Sequence, residues 1–288
     1  MSKFSDYAQF TKLRLSAIVV LSAAIGYAMG CRSFGISMDW AGMGWLVLGG
    51  FLVTGASNGF NQVIERNLDK LMTRTGNRPL PQGRMSVSEA MIVASVMGAA
   101  GVFILAYFMN PLSGILGALA LVLYVAAYTP LKQITPFAVF VGALPGAIPP
   151  MLGWVAASDG FGTIGLPAVI LFAVQFMWQF PHFWAIAWVA DDDYKKAGFR
   201  LLPTRHRDKS SAFQVVVYSI FLIPTSLLPL MFNMSGLVTA GITLACGTVF
   251  LVQALKLYKD LEIRSAQRLM FGSFIYLPVV QLALLIGY

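Results

Sequence analysis

Asn58-Gly59-Phe60-Asn61-Gln62-Val63-Ile64-Glu65-Arg66-Asn67-Leu68-Asp69-Lys70 closes a long apolar run and passes directly into Leu71-Met72-Thr73-Arg74-Thr75-Gly76-Asn77-Arg78-Pro79-Leu80-Pro81-Gln82-Gly83-Arg84. At about 100° of rotation per residue, Asn61, Glu65 and Asp69 fall about 40° apart on successive turns of a helix. The three oxygen-bearing side chains therefore line one stripe, the outline of a hard-cation site. Carboxylate and amide oxygens suit Mg²⁺, which keeps several waters and is commonly shared with substrate phosphates. Lys70, Arg74, Arg78 and Arg84 follow at once, and Arg is the better fork for phosphate. An ordinary charged loop explains the basic residues. It does not explain two acids directly below an apolar helix, where ionisable groups are costly unless used.

The 288 residues are 58% hydrophobic and 11% charged, with a mean hydropathy of +0.74. That is too apolar for an ordinary soluble domain. Crossing the hydrocarbon core takes about 20 mostly apolar residues, and nine such runs are present, at 12–30, 41–63, 88–109, 112–130, 135–155, 163–189, 212–232, 236–256 and 269–287. Their length and lack of alternation predict helices rather than strands. With the N terminus cytoplasmic, every one of the 20 Lys and Arg except Arg32 falls on the cytoplasmic side, as the positive-inside rule requires. The fold class expected is an all-α integral membrane protein with nine helices around a central cavity. The +8 net charge reports this topology and an affinity for anionic headgroups or diphosphates, and gives no case for nucleic acid. Cys31 and Cys246 are solitary, so neither a disulfide framework nor a zinc site is indicated. The first run is expected to stay as a helix rather than be cleaved as a signal, since the later helices keep their orientation only with it in place. A bacterial plasma membrane is the default location.

The remaining runs supply three further expectations. Tyr128 and Lys132 share a helical face at spacing four near the cytoplasmic surface, where they can add a phosphate donor and a cation. Gly142, Pro145, Gly146, Pro149, Pro150 and Gly153 crowd the fifth run, which reads as an irregular helix forming a cavity wall. The sixth run carries Gln175, Gln179, Pro181 and His182 and ends in Asp191-Asp192-Asp193-Tyr194-Lys195-Lys196, followed by Arg200-Leu201-Leu202-Pro203. It echoes the opening stretch, an apolar helix tipped by acids and followed by basic residues, which suggests two related helical halves sharing one site. His182 precedes Asp193 by eleven residues, about 20° off the same face and about 16 Å deeper on a straight helix. One face is then expected to offer Gln175, His182 and Asp193. Residues 1–11 read as a short polar lead without a site.

Acid-tipped helices, basic loops and an apolar interior fit a substrate whose diphosphate sits at the surface and whose tail lies in the membrane. Ionisation of an allylic diphosphate needs the leaving group neutralised, and a water-poor aromatic pocket steadies a carbocation. The residues at this point resemble the UbiA superfamily of intramembrane prenyltransferases, and within it the heme-modifying branch. Asn61-x₃-Glu65-x₃-Asp69 is similar to the superfamily's Asn-Asp-x₂-Asp-x₃-Asp motif, with Gln62 in place of the second acid. The run Asn61 to Leu80, Tyr128-Thr129-Pro130-Leu131-Lys132, Gly142 to Gly153, Gln179-x-Pro181-His182-Phe183 and Asp193-Tyr194 to Pro203 carry the more specific match.

The resemblance implies one intramembrane prenyltransferase domain over 1–288 that moves farnesyl from farnesyl diphosphate to a vinyl group of heme B, making heme O. It implies Mg²⁺ as cofactor, held by Asn61, Glu65, Asp69 and Asp193, which are also the expected catalytic residues. The diphosphate would meet Arg74, Arg78, Lys132, Lys195, Arg200 and Tyr128, and the heme His182. A heme A synthase or an oxidase-assembly factor is the partner expected. Two other readings remain open: a relative acting on a quinone precursor or other ring acceptor, and, from a different class, a secondary transporter with broken helices.

Overall fold

The computed structural model describes residues 2–288. Among them, nine helices of 19–25 residues are long and apolar enough to cross a membrane, in agreement with the nine runs. In chain order the elements are α1 (Lys3–Phe10), α2 (Leu13–Ser33), α3 (Trp40–Ile64), the single turn α4 (Arg66–Asp69), α5 (Val87–Ile104), α6 (Pro111–Val122), α7 (Thr129–Leu131), α8 (Ala138–Ala156), α9 (Leu166–Val189), α10 (Asp191–Lys196), α11 (Lys209–Met231), α12 (Leu237–Asp260) and α13 (Ile263–Gly287). A π-helical turn, Leu105–Met109, prolongs α5, and a second, Leu123–Tyr128, links α6 to α7. The last helix starts six residues before its apolar run, because Arg264 and Arg268 stay helical at its polar end.

The most enclosed span is α8, 67% buried. It was expected to be irregular, and that expectation is corrected: α8 is one unbroken helix with Pro145, Pro149 and Pro150 inside it. Lipid tails give helices no hydrophobic reason to associate, so close van der Waals approach between small residues does that work. A Cβ on Gly26 of α2 would collide with the Pro150 carbonyl, and one on Gly153 with the Ala23 carbonyl. The glycines set a helix crossing rather than a break. Pro150 has no N–H for the Gly146 carbonyl one turn earlier, and the Gln175 Nε2 of α9 donates to that oxygen instead, at 2.7 Å. The expectation of a wall is met on a small scale. Ile148, Pro149 and Leu152 line an apolar cavity of about 40 Å³ together with residues of α2, α3 and α6.

The bundle closes on itself through buried polar groups. Ser22 Oγ donates to Gln281 Oε1 (2.9 Å), and Gln281 Nε2 donates to Gln175 Oε1 (2.8 Å), so α2, α13, α9 and α8 share one hydrogen-bonded chain. In hydrocarbon such groups must find partners in the protein.

Both acid-tipped helices break just past the membrane span. At Glu65 the backbone turns to φ −90°, ψ 7°, and α4 follows; at Ala190 it turns to φ −94°, ψ 6°, and α10 follows. The second break corrects the single-face reading of Gln175, His182 and Asp193. The helix bearing His182 ends before Asp193, and Gln175 is spent on Gly146 and Gln281. The polar lead is also corrected, since it forms α1, with Phe10 fully buried beside Val63, Leu80, Met85, Ala90 and Ala94.

Candidate functional site at one end of the bundle

The opening stripe survives the break in α3 because the i−4 hydrogen bonds continue across it: Glu65 N–H donates to the Asn61 carbonyl (2.9 Å) and Asp69 N–H to the Glu65 carbonyl (2.8 Å). Asn61, Glu65 and Asp69 therefore stay on one side, all buried. Each faces a partner. Asn61 Nδ2 donates to Thr129 Oγ1 at 3.3 Å. Lys132 Nζ stands 2.5 Å from Glu65 Oε1. Arg78 Nη1 donates to both carboxylate oxygens of Asp69, at 2.9 and 2.8 Å.

The opposing wall owes its shape to the π-helical turn. Thr129 Oγ1 donates to the Tyr124 carbonyl five residues back, at 2.8 Å, and so offers its lone pair to Asn61. Such turns recur at functional sites because they re-aim side chains. Tyr128 and Lys132 meet as the spacing predicted, with the ammonium 4.9 Å from the Tyr128 ring centroid and 5.3 Å from that of Phe199. Burial lowers the Lys132 pKa, opposed by the neighbouring Glu65.

The second acidic end reaches the first through its carboxylate. Asp193 Oδ1 accepts from the Thr73 N–H (3.0 Å) and Oδ2 from the Arg74 N–H (2.9 Å). Those backbone donors, Arg74 first, hold the Asp193 carboxyl well below the usual carboxylate range. Lys196 Nζ adds bonds to Asp193 Oδ1 (3.0 Å) and Thr73 Oγ1 (3.2 Å). Arg74 itself reaches Tyr194, Nη2 to hydroxyl, at 3.3 Å. The loops after α3 and α9 are thus latched together. Arg200 joins them through its backbone, donating to the Lys132 carbonyl at 3.1 Å, with its guanidinium side exposed. Lys195 turns elsewhere and pairs with Asp191 at 2.7 Å.

Sequence reasoning missed Thr129, Tyr194 and Lys196. It also left Gln62 as an unexplained departure. Gln62 Nε2 donates to the Gln9 and Phe10 carbonyls, at 3.3 and 2.8 Å, so it points away from the stripe and binds α1 to α3. The i to i+1 offset from Asn61 carried that signal, because a helix puts neighbours about 100° apart.

His182 sits deeper, in α9. Its ring stacks on Trp178, with centroids 4.3 Å apart, and Nδ1 lies 2.7 Å from Ser273 Oγ on α13. Ser273 Oγ donates its own proton to the Met270 carbonyl at 2.6 Å, so it accepts from Nδ1–H. That fixes the tautomer and leaves Nε2 as the bare nitrogen, without a protein partner among the described residues.

No cluster of three or more His, Cys, Asp or Glu arranged to hold a metal occurs among the described residues. Mg²⁺ does not need one, since one or two carboxylates plus phosphate oxygens are its usual protein-side complement. The buried oxygens of Asn61, Glu65 and Asp69 are of the right kind, and two cations already balance the two carboxylates. The residues fit a hard cation shared with an anionic substrate.

The UbiA prenyltransferase family matches residues 19–277. A protoheme IX farnesyltransferase of Cytophaga hutchinsonii is 47% identical, with 98% of this chain and 97% of that protein aligned. Among solved structures, a digeranylgeranylglyceryl phosphate synthase superposes with a TM-score of 0.81 over 100% of this chain and 99% of that one, at 20% identity. A UbiA homolog from Archaeoglobus fulgidus bound to GPP and Mg²⁺ superposes with a TM-score of 0.69, covering 97% and 99% of the two chains at 14% identity. These two likenesses speak for the fold alone. By the extent of the family match and the near-full-length identity to its relative, the chain belongs to the UbiA prenyltransferase family.

Proposed function

We propose that this chain is a protoheme IX farnesyltransferase, which joins the farnesyl group of farnesyl diphosphate to a vinyl group of heme B and, with water completing the side chain, yields heme O. The observation that carries the site is the buried ladder Asn61–Thr129, Glu65–Lys132 and Asp69–Arg78. It concentrates charge at one end of a multi-pass bundle, where a diphosphate can sit with its prenyl tail in the apolar interior. The acids lie at the helix ends rather than at the membrane midplane, where a transporter would place its site. The bacterial plasma membrane is the location we assign.

In this reading Asn61, Glu65 and Asp69 would hold Mg²⁺, while Asp193, bonded to the Thr73 and Arg74 N–H groups, fixes the loop that follows them. The ion, when bound, neutralises charge on the leaving diphosphate. Arg78 and Lys132 hold the phosphate oxygens as the allylic C–O bond breaks and its electron pair leaves with the diphosphate. Arg74 and Arg200 approach from the latched loops, and Tyr128 offers its hydroxyl. The aromatic side chains of α9 exclude water from the resulting carbocation until the vinyl carbons attack. The bare Nε2 of His182 is suited to ligate heme iron or accept a hydrogen bond from the acceptor.

The direct test is turnover of the purified protein with heme B, farnesyl diphosphate and Mg²⁺, read by product mass. Heme O and released pyrophosphate are the expected products, and absence of both sinks the assignment. His182→Ala should weaken heme binding or shift the bound heme's absorption spectrum while farnesyl diphosphate affinity stays nearly intact. If heme binds as before, His182 is packing and the acceptor lies elsewhere.

A further inference from the structure

Lys12 stands at the joint between α1 and α2 with φ 48° and ψ 56°. It directly follows Thr11, the residue that caps α1, which is the position where a helix end in the left-handed conformation ordinarily takes glycine. For a residue with a Cβ this conformation is strained, and strain of that kind persists only where the surroundings impose it. Here they do. Asn58 Nδ2 donates to the Thr11 carbonyl (3.3 Å), Ser16 Oγ donates to the same oxygen (2.8 Å), and Gln62 Nε2 holds the Gln9 and Phe10 carbonyls. Asn58 and Gln62 flank Asn61 on α3. The joint is therefore clasped to α3 by two side chains, one on each side of Asn61 in the chain.

At about 100° of rotation per residue Asn58 lies on the face of α3 that carries Asn61 and Glu65, so the joint that Asn58 holds stands on the side of the buried pairs. Glu65 and Asp69 already have cations of their own, and the Lys12 side chain has no hydrogen-bonding or ion-pair partner among the described residues. Two acids face two cations, and Lys12 is a surplus positive charge in a half-buried place. A diphosphate ester, with several negative charges, is the ligand that would balance it.

We propose that Lys12 is a further diphosphate-binding residue, delivered to the leaving group by a left-handed kink that Asn58 and Gln62 hold in place. This rests on the prenyl-diphosphate reading of the site. It adds α1 and the α1–α2 joint to a pocket otherwise built from the end of α3, the turn that leads into α7, and the loops after α3 and α9.

The test uses the full chain in lipid nanodiscs, with farnesyl thiodiphosphate and Mg²⁺ as the calorimetric probe. Lys12→Gly suits the backbone and removes the charge, so its thermal midpoint should equal or exceed that of the wild type. Its affinity for the probe should fall by about tenfold, and Lys12→Arg should recover most of the loss. Burial, with the Arg78 and Lys132 charges and against those of Glu65 and Asp69, lowers the Lys12 pKa to about 7. Wild-type affinity should therefore decline as pH rises above about 7 and the ammonium loses its proton, while Lys12→Arg declines less. If Lys12→Gly binds the probe as tightly as the wild type, Lys12 only anchors the membrane surface and the inference falls, with the site reading intact. If the wild type fails to bind the probe, both fall.

Discussion

Helix α3 breaks at Glu65 and helix α9 at Ala190 with backbone angles that agree within a few degrees, and each is followed by a short helix that carries a carboxylate on the same side of the bundle. The side chains diverge. After the first break Glu65 and Asp69 are 4% and 0% exposed and face Lys132 and Arg78. After the second, Asp193 spends both oxygens on the backbone N–H groups of the opposite loop, and Asp192 leaves 75% of its side chain in solvent. One backbone device thus serves two purposes. Both halves seal carboxylates opposite cations, Asp191 facing Lys195 and Arg207 in the second, but only the second extends a carboxylate, Asp193, as the latch that keeps the first half's loop in place.

The largest effect is expected of Asp69→Asn. The amide keeps the shape but leaves Arg78 without its charge partner, in a place where breaking a buried pair costs about 3–5 kcal/mol. Turnover should fall by about a thousandfold or more while the protein still inserts in the membrane, measured by product formation on matched amounts of membrane-extracted enzyme. Activity within about tenfold of wild type, a barrier change of about 1.4 kcal/mol, would remove Asp69 from the role.

Asp193→Asn addresses the latch. An amide can accept through one oxygen only and turns its NH₂ toward one of the two N–H donors of Thr73 and Arg74. Hydrogen bonds to a charged group are worth about 1.5–3 kcal/mol each, so the loop from Lys70 to Arg84 should open. Limited proteolysis should cut it faster, and kcat/KM for farnesyl diphosphate should drop by about tenfold to a hundredfold, mainly through KM. A loss confined to kcat with the loop still protected would make Asp193 a direct participant in the chemistry instead.

How far the sequence could carry this comparison depended on which signals outlast a helix break. The nine spans were legible because apolar length and the sidedness of Lys and Arg are set by the bilayer itself. The stripe of Asn61, Glu65 and Asp69 was legible because i−4 hydrogen bonding runs on through Glu65. The face shared by His182 and Asp193 was not real, because Ala190 turns the chain with no glycine or proline to announce it. Helix α8 misled for the opposite reason: its glycines and prolines are breakers in water, but in the bundle they allow α2 to approach and α9 to donate. The polar lead hid α1 because eight residues are too few to show a stable amphipathic pattern, and the fold of α1 rests on Phe10 and Gln62.

The smallest effect separates two adjacent lysines on α10. The family resemblance put Lys195 among the diphosphate contacts, yet its ammonium pairs with Asp191 one turn back, at 2.7 Å, and its side chain is about half exposed at 53%. Lys196, equally open at 51%, reaches Asp193 and the Thr73 hydroxyl and so touches the latch. Exposed ion pairs contribute about 0–1 kcal/mol, which bounds both expectations. Lys195→Ala should leave kcat and the KM for farnesyl diphosphate within about twofold of wild type, and Lys196→Ala should raise KM by a few fold through a looser loop. Steady-state kinetics on the two variants, run side by side, decide the matter. A tenfold rise in KM for Lys195→Ala alone would mean that α10 turns when substrate binds and brings Lys195 onto the phosphates. The second half of the molecule would then supply charge to the site as the first half does.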